Sequence, residues 1–229
     1  MNVKNEWIYA IRKSIPVFFG YIFLGIAFGL LLQHTGYDWP WALLISLLVY
    51  AGSLQFAMVG FLAGGTDPIT VILMSLLINS RHIFYGVSFL DRFRRMGHYY
   101  PYMIFSLTDE TYSLFCSRET DPVPSHLDED KVMFRIALLD HIYWVTGSVL
   151  GGLVGEFITF DTTGIDFAMT ALFVVIFLDQ WKEARNHTPA IIGLVSSVLF
   201  LLLLGPDHFI LPSLAVTTAL LMLLRRKLS

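Results

Sequence analysis

Cysteine occurs once in the 229 residues, at Cys116, so no internal disulfide can form and no thiol pair is available for a metal or redox site. Charge is scarce too. Asp, Glu, Lys and Arg make up 14% of the chain, against roughly a quarter in an ordinary soluble domain. No run of five like charges occurs, and a net charge of -3 with a pI near 6.1 gives no field that would gather nucleic acid. The sequence also lacks His-Glu-x-x-His, Gly-x-Ser-x-Gly and any phosphate-cradling glycine loop. These absences argue against a nucleic-acid binder and an enzyme, and indicate no metal and no cofactor.

What the chain has in quantity is apolar surface: 55% of residues are hydrophobic and the mean hydropathy is +0.65. This composition belongs to an all-α integral membrane protein whose surroundings are a lipid bilayer. Runs near the ~20 residues needed to cross hydrocarbon fall at 15–33, 40–63, 68–90, 132–158, 165–180, 188–204 and 207–224, with a weaker one at 101–117. The expectation is a polytopic helical bundle of seven or eight hydrophobic segments. Lys4, Arg12 and Lys13 precede the first run as in a signal peptide, but Ser14–Leu32 is uncharged for 19 residues with no small-x-small site after it, so it reads as a retained span. The longest hydrophilic stretch, 118–131, holds Asp121-Pro122-Val123-Pro124, which breaks any helix. Ser125-x-x-Asp128 then has capping-box spacing, and a helix from there to Ile158 would be about 50 Å long.

Orientation poses a problem. Lys and Arg, which mark cytoplasmic loops, cluster at Arg12/Lys13, Arg92/Arg94/Arg95, Lys182/Arg185 and Arg225/Arg226/Lys227. Eight simple spans put the cluster at 92–95 on the wrong side. Either an early segment is re-entrant or broken, or the rule fails at that loop. A 3+3 internal repeat is also visible, with halves 14–95 and 132–211 flanking a linker and short hydrophobic segment at 96–131. It matches Gly25/Gly29 with Gly147/Gly151, Gln55 with Gln180, and Thr66-Asp67-Pro68 with His187-Thr188-Pro189, a construction common in secondary transporters.

A charge at the bilayer centre costs roughly 2.5–3.5 kcal/mol even on lenient scales, so Arg81, well inside the third run, must face protein or water. Ser75, Asn79, His82 and Gly86 recur at i, i+4, i+7 and i+11 along one helical stripe, and Arg81 and Tyr85 share the next. Such a face suits a cavity lining; the plainer alternative is Arg81 snorkelling to a surface. Its candidate partners are Asp109, Glu110 and Asp140. Three carboxylates exceed one arginine, so a spare one can meet an ammonium group or take up a proton. In Tyr50-Ala51-Gly52-Ser53-Leu54-Gln55-Phe56, Gly52 and Ser53 can interrupt the helix and free backbone groups beside Gln55, or simply serve close packing. Gly147, Gly151 and Gly155, like Gly25 and Gly29, read as helix-contact faces, and Tyr37, Trp39, Trp41 and Trp181 as interfacial aromatics.

Taken together, "YAGSLQF" at 50–56, "INSRHIFYGVSF" at 78–89, "TDETYSLF" at 108–115 and "LDHIYWVTGSVLGG" at 139–152 resemble the AzlC family of branched-chain amino acid permeases. The resemblance implies the large subunit of an exporter in the bacterial cytoplasmic (inner) membrane, multi-pass, whose partner is a small AzlD-type membrane protein. By motif it marks Gln55, Asn79, Arg81, His82, Asp109, Glu110 and Tyr112. The expected substrate-binding set is Gly52, Ser53, Gln55, Asn79, Arg81, Tyr85, Asp109, Glu110 and Tyr112, with Phe56 and Phe84 shaping the pocket; His82, Asp109, Glu110 and Asp140 are the proton-coupling set. A scaffold for the small partner, and a pore for a small anion, are the competing readings.

Overall fold

In the computed structural model, described for residues 3–116, 122–157, 174, 177–178, 181–182, 186–205 and 209–228, all regular structure among those residues is helical. Two compact units divide the chain, Met1–Ala168 and Met169–Ser229. Three helices of the first are long and apolar enough to cross a bilayer: α1 (Val3–His34), α4 (Pro68–Arg94) and α7 (Glu129–Phe157). Among the described residues between them lie the shorter α-helices α2 (Trp39–Leu48), α3 (Gly52–Gly64), α5 (Tyr100–Phe105) and α6 (Asp109–Cys116), with a 3-10 turn at Gly97–Tyr99 leading into α5.

Helices α1 and α7 run parallel in close contact. Glu6 pairs with Arg135 near one end, the hydroxyls of Ser14 and Tyr143 lie 3.2 Å apart, and Gly155 lies against Gln33 at the other end. Glycine permits the approach. A Cβ on Gly29 would overlap the Ser148 carbonyl oxygen, and one on Gly151 that of Ile26, so the two small-residue motifs expected to serve helix contacts meet each other.

Helix α4 runs the opposite way. Asp67 caps its start by accepting from the Ile69 and Thr70 N–H groups, both at 3.0 Å, and Arg92 near its end pairs with Glu129 and Asp130 at the start of α7. The basic cluster at 92–95 therefore lies at the same end of the unit as Arg12 and Lys13. Since α1 finishes at the far end and α4 starts there, α2 and α3 must enter and leave by one end. Their contacts agree: Trp39 touches Gly152, Ser46 reaches back along α7 to His141, then Gly52 packs on Trp144 and Phe56 on Phe28. The run at 40–63 is thus a re-entrant pair, which removes the conflict with the basic-loop rule.

A second pair enters from the other end. Tyr99 packs on Phe134 at 4.5 Å, Tyr102 bonds His141 at 3.0 Å, and after the turn at 106–108 α6 returns past Asp140 to set Phe115 on Phe93. The tips meet, with the Tyr50 ring 6.1 Å from Phe105 and 4.1 Å from His141. The weak segment at 101–117 is therefore two helices rather than one. The start of α7 also differs from expectation: Asp128, not Ser125, caps it, accepting from the Asp130 and Lys131 N–H groups at 3.1 and 3.3 Å.

In the second unit α8 (Thr188–Leu204) packs on α9 (Ile210–Leu228). Pro189 stands in the first turn of α8 as Pro68 does in α4, and Asn186 accepts from the Thr188 N–H at 2.9 Å. Most of the segment at 165–180, Gln180 included, lies outside the described residues.

Candidate functional site

The break between α2 and α3 falls at Tyr50, whose φ of +40° is a conformation that costs a non-glycine residue roughly 1–3 kcal/mol. Gln55 holds it. Its Oε1 accepts from the Ala51 N–H at 3.2 Å and from the Trp144 indole N–H at 2.9 Å, while its amide donates to Ser46 Oγ at 3.1 Å. Both ends of this fully buried side chain are engaged. Gly52 is the first residue of α3, just past the break; a Cβ there would stand 3.2 Å from the Trp144 ring.

Ser53 faces α4. Its hydroxyl accepts from Arg81 Nη2 at 2.7 Å, and Arg81 Nη1 pairs with Asp109 Oδ2 at 2.9 Å. The Arg81 and Asp109 side chains are 24% and 33% exposed, open enough for a ligand to reach. Arg81 Nε, Asp109 Oδ1 and Asn79 Oδ1 have no hydrogen-bond partner. His82 stands edge-on to Tyr85 at 5.8 Å, and Tyr85 stacks on Tyr112 at 4.4 Å. Seven expected site residues thus gather between α3, α4 and α6. Phe84 points away from them, 72% exposed, and Phe56 is buried in the core.

Glu110, the residue after Asp109, belongs to a second cluster. Tyr21 donates to Glu110 Oε2 at 2.7 Å and lies 2.6 Å from Thr108 Oγ1; Thr108 donates to Thr111 at 3.1 Å, and Thr111 to Asp140 Oδ2 at 2.8 Å. Asp140 is fully buried, while Glu110 opens into a cavity of about 290 Å³ walled by Val17, Gly20, Tyr21, Leu24 and Leu114. No cation pairs with either carboxylate among the described residues. His141 spans the tips, bonding Tyr102 and the Ser46 carbonyl, while the Ser148 hydroxyl bonds the Trp144 carbonyl.

Tyr21, Thr108, Thr111 and Trp144 escaped the sequence reading. Tyr21 sits in an uncharged run with no pattern around it. The threonines, however, flank Asp109-Glu110 in the quoted "TDET", and hydroxyls three apart beside membrane-depth acids are a usable signal. Among the described residues no group of three His, Cys, Asp or Glu side chains is placed to hold a metal ion.

Long apolar helices, two re-entrant pairs meeting at mid-height and ionisable groups held between them mark an all-helical membrane protein. Residues 16–158, which contain every residue of both clusters, match the family model described as AzlC protein. The chain is 38% identical over 232 residues to the branched-chain amino acid transport protein AzlC of Bacillus subtilis (strain 168), covering 100% of this chain and 90% of that protein. The chain belongs to the AzlC family. It is 39% identical over 202 residues to an uncharacterized membrane protein of Haemophilus influenzae (88% of this chain, 82% of that one), and 26% over 195 residues to the inner membrane protein YgaZ of Escherichia coli (82% and 79%). No solved structure matches.

Proposed function

We propose that this chain exports branched-chain amino acids across the bacterial cytoplasmic membrane, driven by the proton gradient and assembled with a small AzlD-type subunit. The observation that carries the reading is Glu110: a carboxylate without a cation, opening into a cavity whose other walls are mostly apolar. A zwitterion with a branched side chain matches it end for end. The ammonium meets Glu110, the side chain lies along Val17, Leu24 and Leu114, and the carboxylate meets Arg81, which is within electrostatic range of Glu110 and has Nε unfilled. Guanidinium gives the forked geometry a carboxylate prefers. One methylene is worth only ~1–3 kcal/mol in such a pocket, so leucine, valine, isoleucine and methionine are all accepted. Asn79, Tyr85 and Tyr112 complete the wall around Arg81; Gly52, Ser53 and Gln55 set the break that faces it. His82, Asp109 and Asp140 stand with Glu110 as proton carriers.

The test is efflux of labelled leucine or valine from preloaded bacteria carrying the chain with and without the small subunit. Export requires both proteins and collapses with an uncoupler. Arg81→Gln and Glu110→Gln assemble normally and lose export by about tenfold or more, the worth of one charged hydrogen bond. Normal export by both variants overturns the site; no export of any of the four amino acids by a well-expressed pair overturns the substrate. One observation favours a second reading, the Arg81–Asp109 pair itself. As a permanent bridge in a scaffold, it makes Arg81→Gln lose assembly with the small subunit rather than export alone.

A further inference from the structure

The hydroxyl chain between Asp140 and Glu110 contains one hydrogen fewer than it needs. Four oxygen–oxygen contacts link the carboxyls: Asp140 to Thr111 at 2.8 Å, Thr111 to Thr108 at 3.1 Å, Thr108 to Tyr21 at 2.6 Å, and Tyr21 to Glu110 at 2.7 Å. Three hydroxyls supply three hydrogens. With both carboxyls ionised, one contact has oxygen facing oxygen with nothing between. That is untenable at hydrogen-bond distance among groups that are, apart from Glu110, buried at 0–7% exposure. One added proton fills all four contacts. On Glu110, it makes Glu110 donate to Tyr21, Tyr21 to Thr108, Thr108 to Thr111 and Thr111 to ionised Asp140. On Asp140, every hydroxyl turns the other way and Tyr21 donates to ionised Glu110.

We propose that Asp140 and Glu110 share a single proton through the Thr111–Thr108–Tyr21 hydroxyls, and that occupation of Glu110 by a substrate ammonium drives this proton to Asp140. The step conserves everything: Glu110 loses a proton, Asp140 gains one, each hydroxyl passes one on and receives one, and the net charge of the chain is unchanged. The surroundings suit Asp140 as the store. Its Oδ1 is buried without a partner, and the titratable groups nearest it are Tyr21 on α1, Tyr50 at the break, Tyr102 on α5 and Glu110 on α6, with His141 next to it on α7. None is a permanent cation. At the other end Arg81 and Asp109 act on Glu110 as an opposed pair. The sharing of the proton is independent of the export reading; its displacement by an ammonium rests on that reading.

Infrared spectra of the full chain in lipid vesicles at neutral pH, with the carboxyl carbon of aspartate or of glutamate isotopically labelled, test both parts. Without substrate, the wild type shows one protonated carboxyl's intensity that is absent from the Asp140→Asn/Glu110→Gln double variant, divided between the aspartate and glutamate bands. Thr111→Val cuts the chain with little change of shape, leaves Asp140 without its donor and collects this intensity in the aspartate band; should that variant misfold, Tyr21→Phe cuts the other end, leaves Thr111 and Thr108 to satisfy an ionised Asp140, and empties the aspartate band. Intensity worth two carboxyls, or none, or a division unaltered by either cut, overturns the shared proton. Added leucine moves the wild-type intensity to the aspartate band and leaves Thr111→Val unchanged. Leucine that binds with no shift overturns the displacement. Leucine that does not bind sinks the export reading while the substrate-free spectra still decide the shared proton.

Discussion

Helices α1 and α4 are both long, apolar and able to cross a bilayer, yet the unit treats them differently. α1 buries Ala10, Val17, Tyr21, Phe28, Leu31 and Leu32 and meets α7 backbone to backbone at Gly25 and Gly29. α4 buries only Phe93, while Ile69, Leu76, Ile83 and Val87 are 66–71% exposed. Apolar packing makes α1 and α7 a frame; α4 reaches that frame only towards its end, through Phe93 in the cluster with Ala10, Val132 and Met133 and through Arg92 on Glu129 and Asp130, and at mid-length it touches the re-entrant helices through Arg81 on Ser53 and Asp109. Asn79, Arg81, His82 and Tyr85 thus stand on a long helix that buries a single residue, and weakly packed elements are the usual ones to rearrange.

The contrast is most easily broken at the glycines. Gly29→Ala forces a Cβ against the backbone of α7, where nothing can rotate aside; such overpacking costs about 3 kcal/mol or more, and thermal unfolding in detergent falls steeply or the protein fails to accumulate. Gln55→Leu comes next. It leaves the Ala51 N–H and the Trp144 indole N–H without their acceptor, at about 1–3 kcal/mol for each buried group, and weakens the hold of α7 on the re-entrant pair; protease cleavage near the break reports it. On α4 the sign reverses. A Cβ on Gly86 meets nothing within 4 Å, so Gly86→Ala gains about 0.5–1 kcal/mol of helix propensity and raises the melting temperature slightly. A loss there matching that of Gly29→Ala would end the distinction between frame and arm.

The smallest effect is at Asp67. Hydrogen bonds from Thr70 and from the first N–H groups of α4 hold its carboxyl below the usual range. A depressed folded value means that its stabilisation is complete above the ordinary aspartate range and is lost as pH falls through the folded value. Asp67→Ala therefore lowers the melting temperature a little at neutral pH and not at all in strong acid, as a melting series across pH reads out.

Helix α1 begins at Val3, well before the apolar run at 15–33 that announced it. The membrane class, the end of α1, the start of α4 and the pairing of Arg81 with one of three named carboxylates were legible because each has a local cause: a run of apolar residues, a proline after a capping acid, a charge that cannot face lipid. The re-entrant pairs were not. A run such as 40–63 has the same length and hydropathy whether it crosses or turns back, and the break falls on Tyr50, a residue with no preference for positive φ, because Gln55 and Trp144 impose it from elsewhere in the chain. The two-way choice posed by the basic cluster at 92–95 was as far as composition reached; the Arg92 contacts with α7 decided it. The hydroxyl chain was illegible for the same reason, since its links join α1, α6 and α7, from Tyr21 to Asp140, far apart in sequence.

Helices that enter only halfway divide the unit into two bays that meet at one layer of rings. The tips of the two pairs approach at Tyr50, Phe105 and His141, within about 6 Å, and His141 is bonded from both sides, to Tyr102 of one pair and to the Ser46 carbonyl of the other. A shift of either pair is therefore transmitted to the other through a single imidazole.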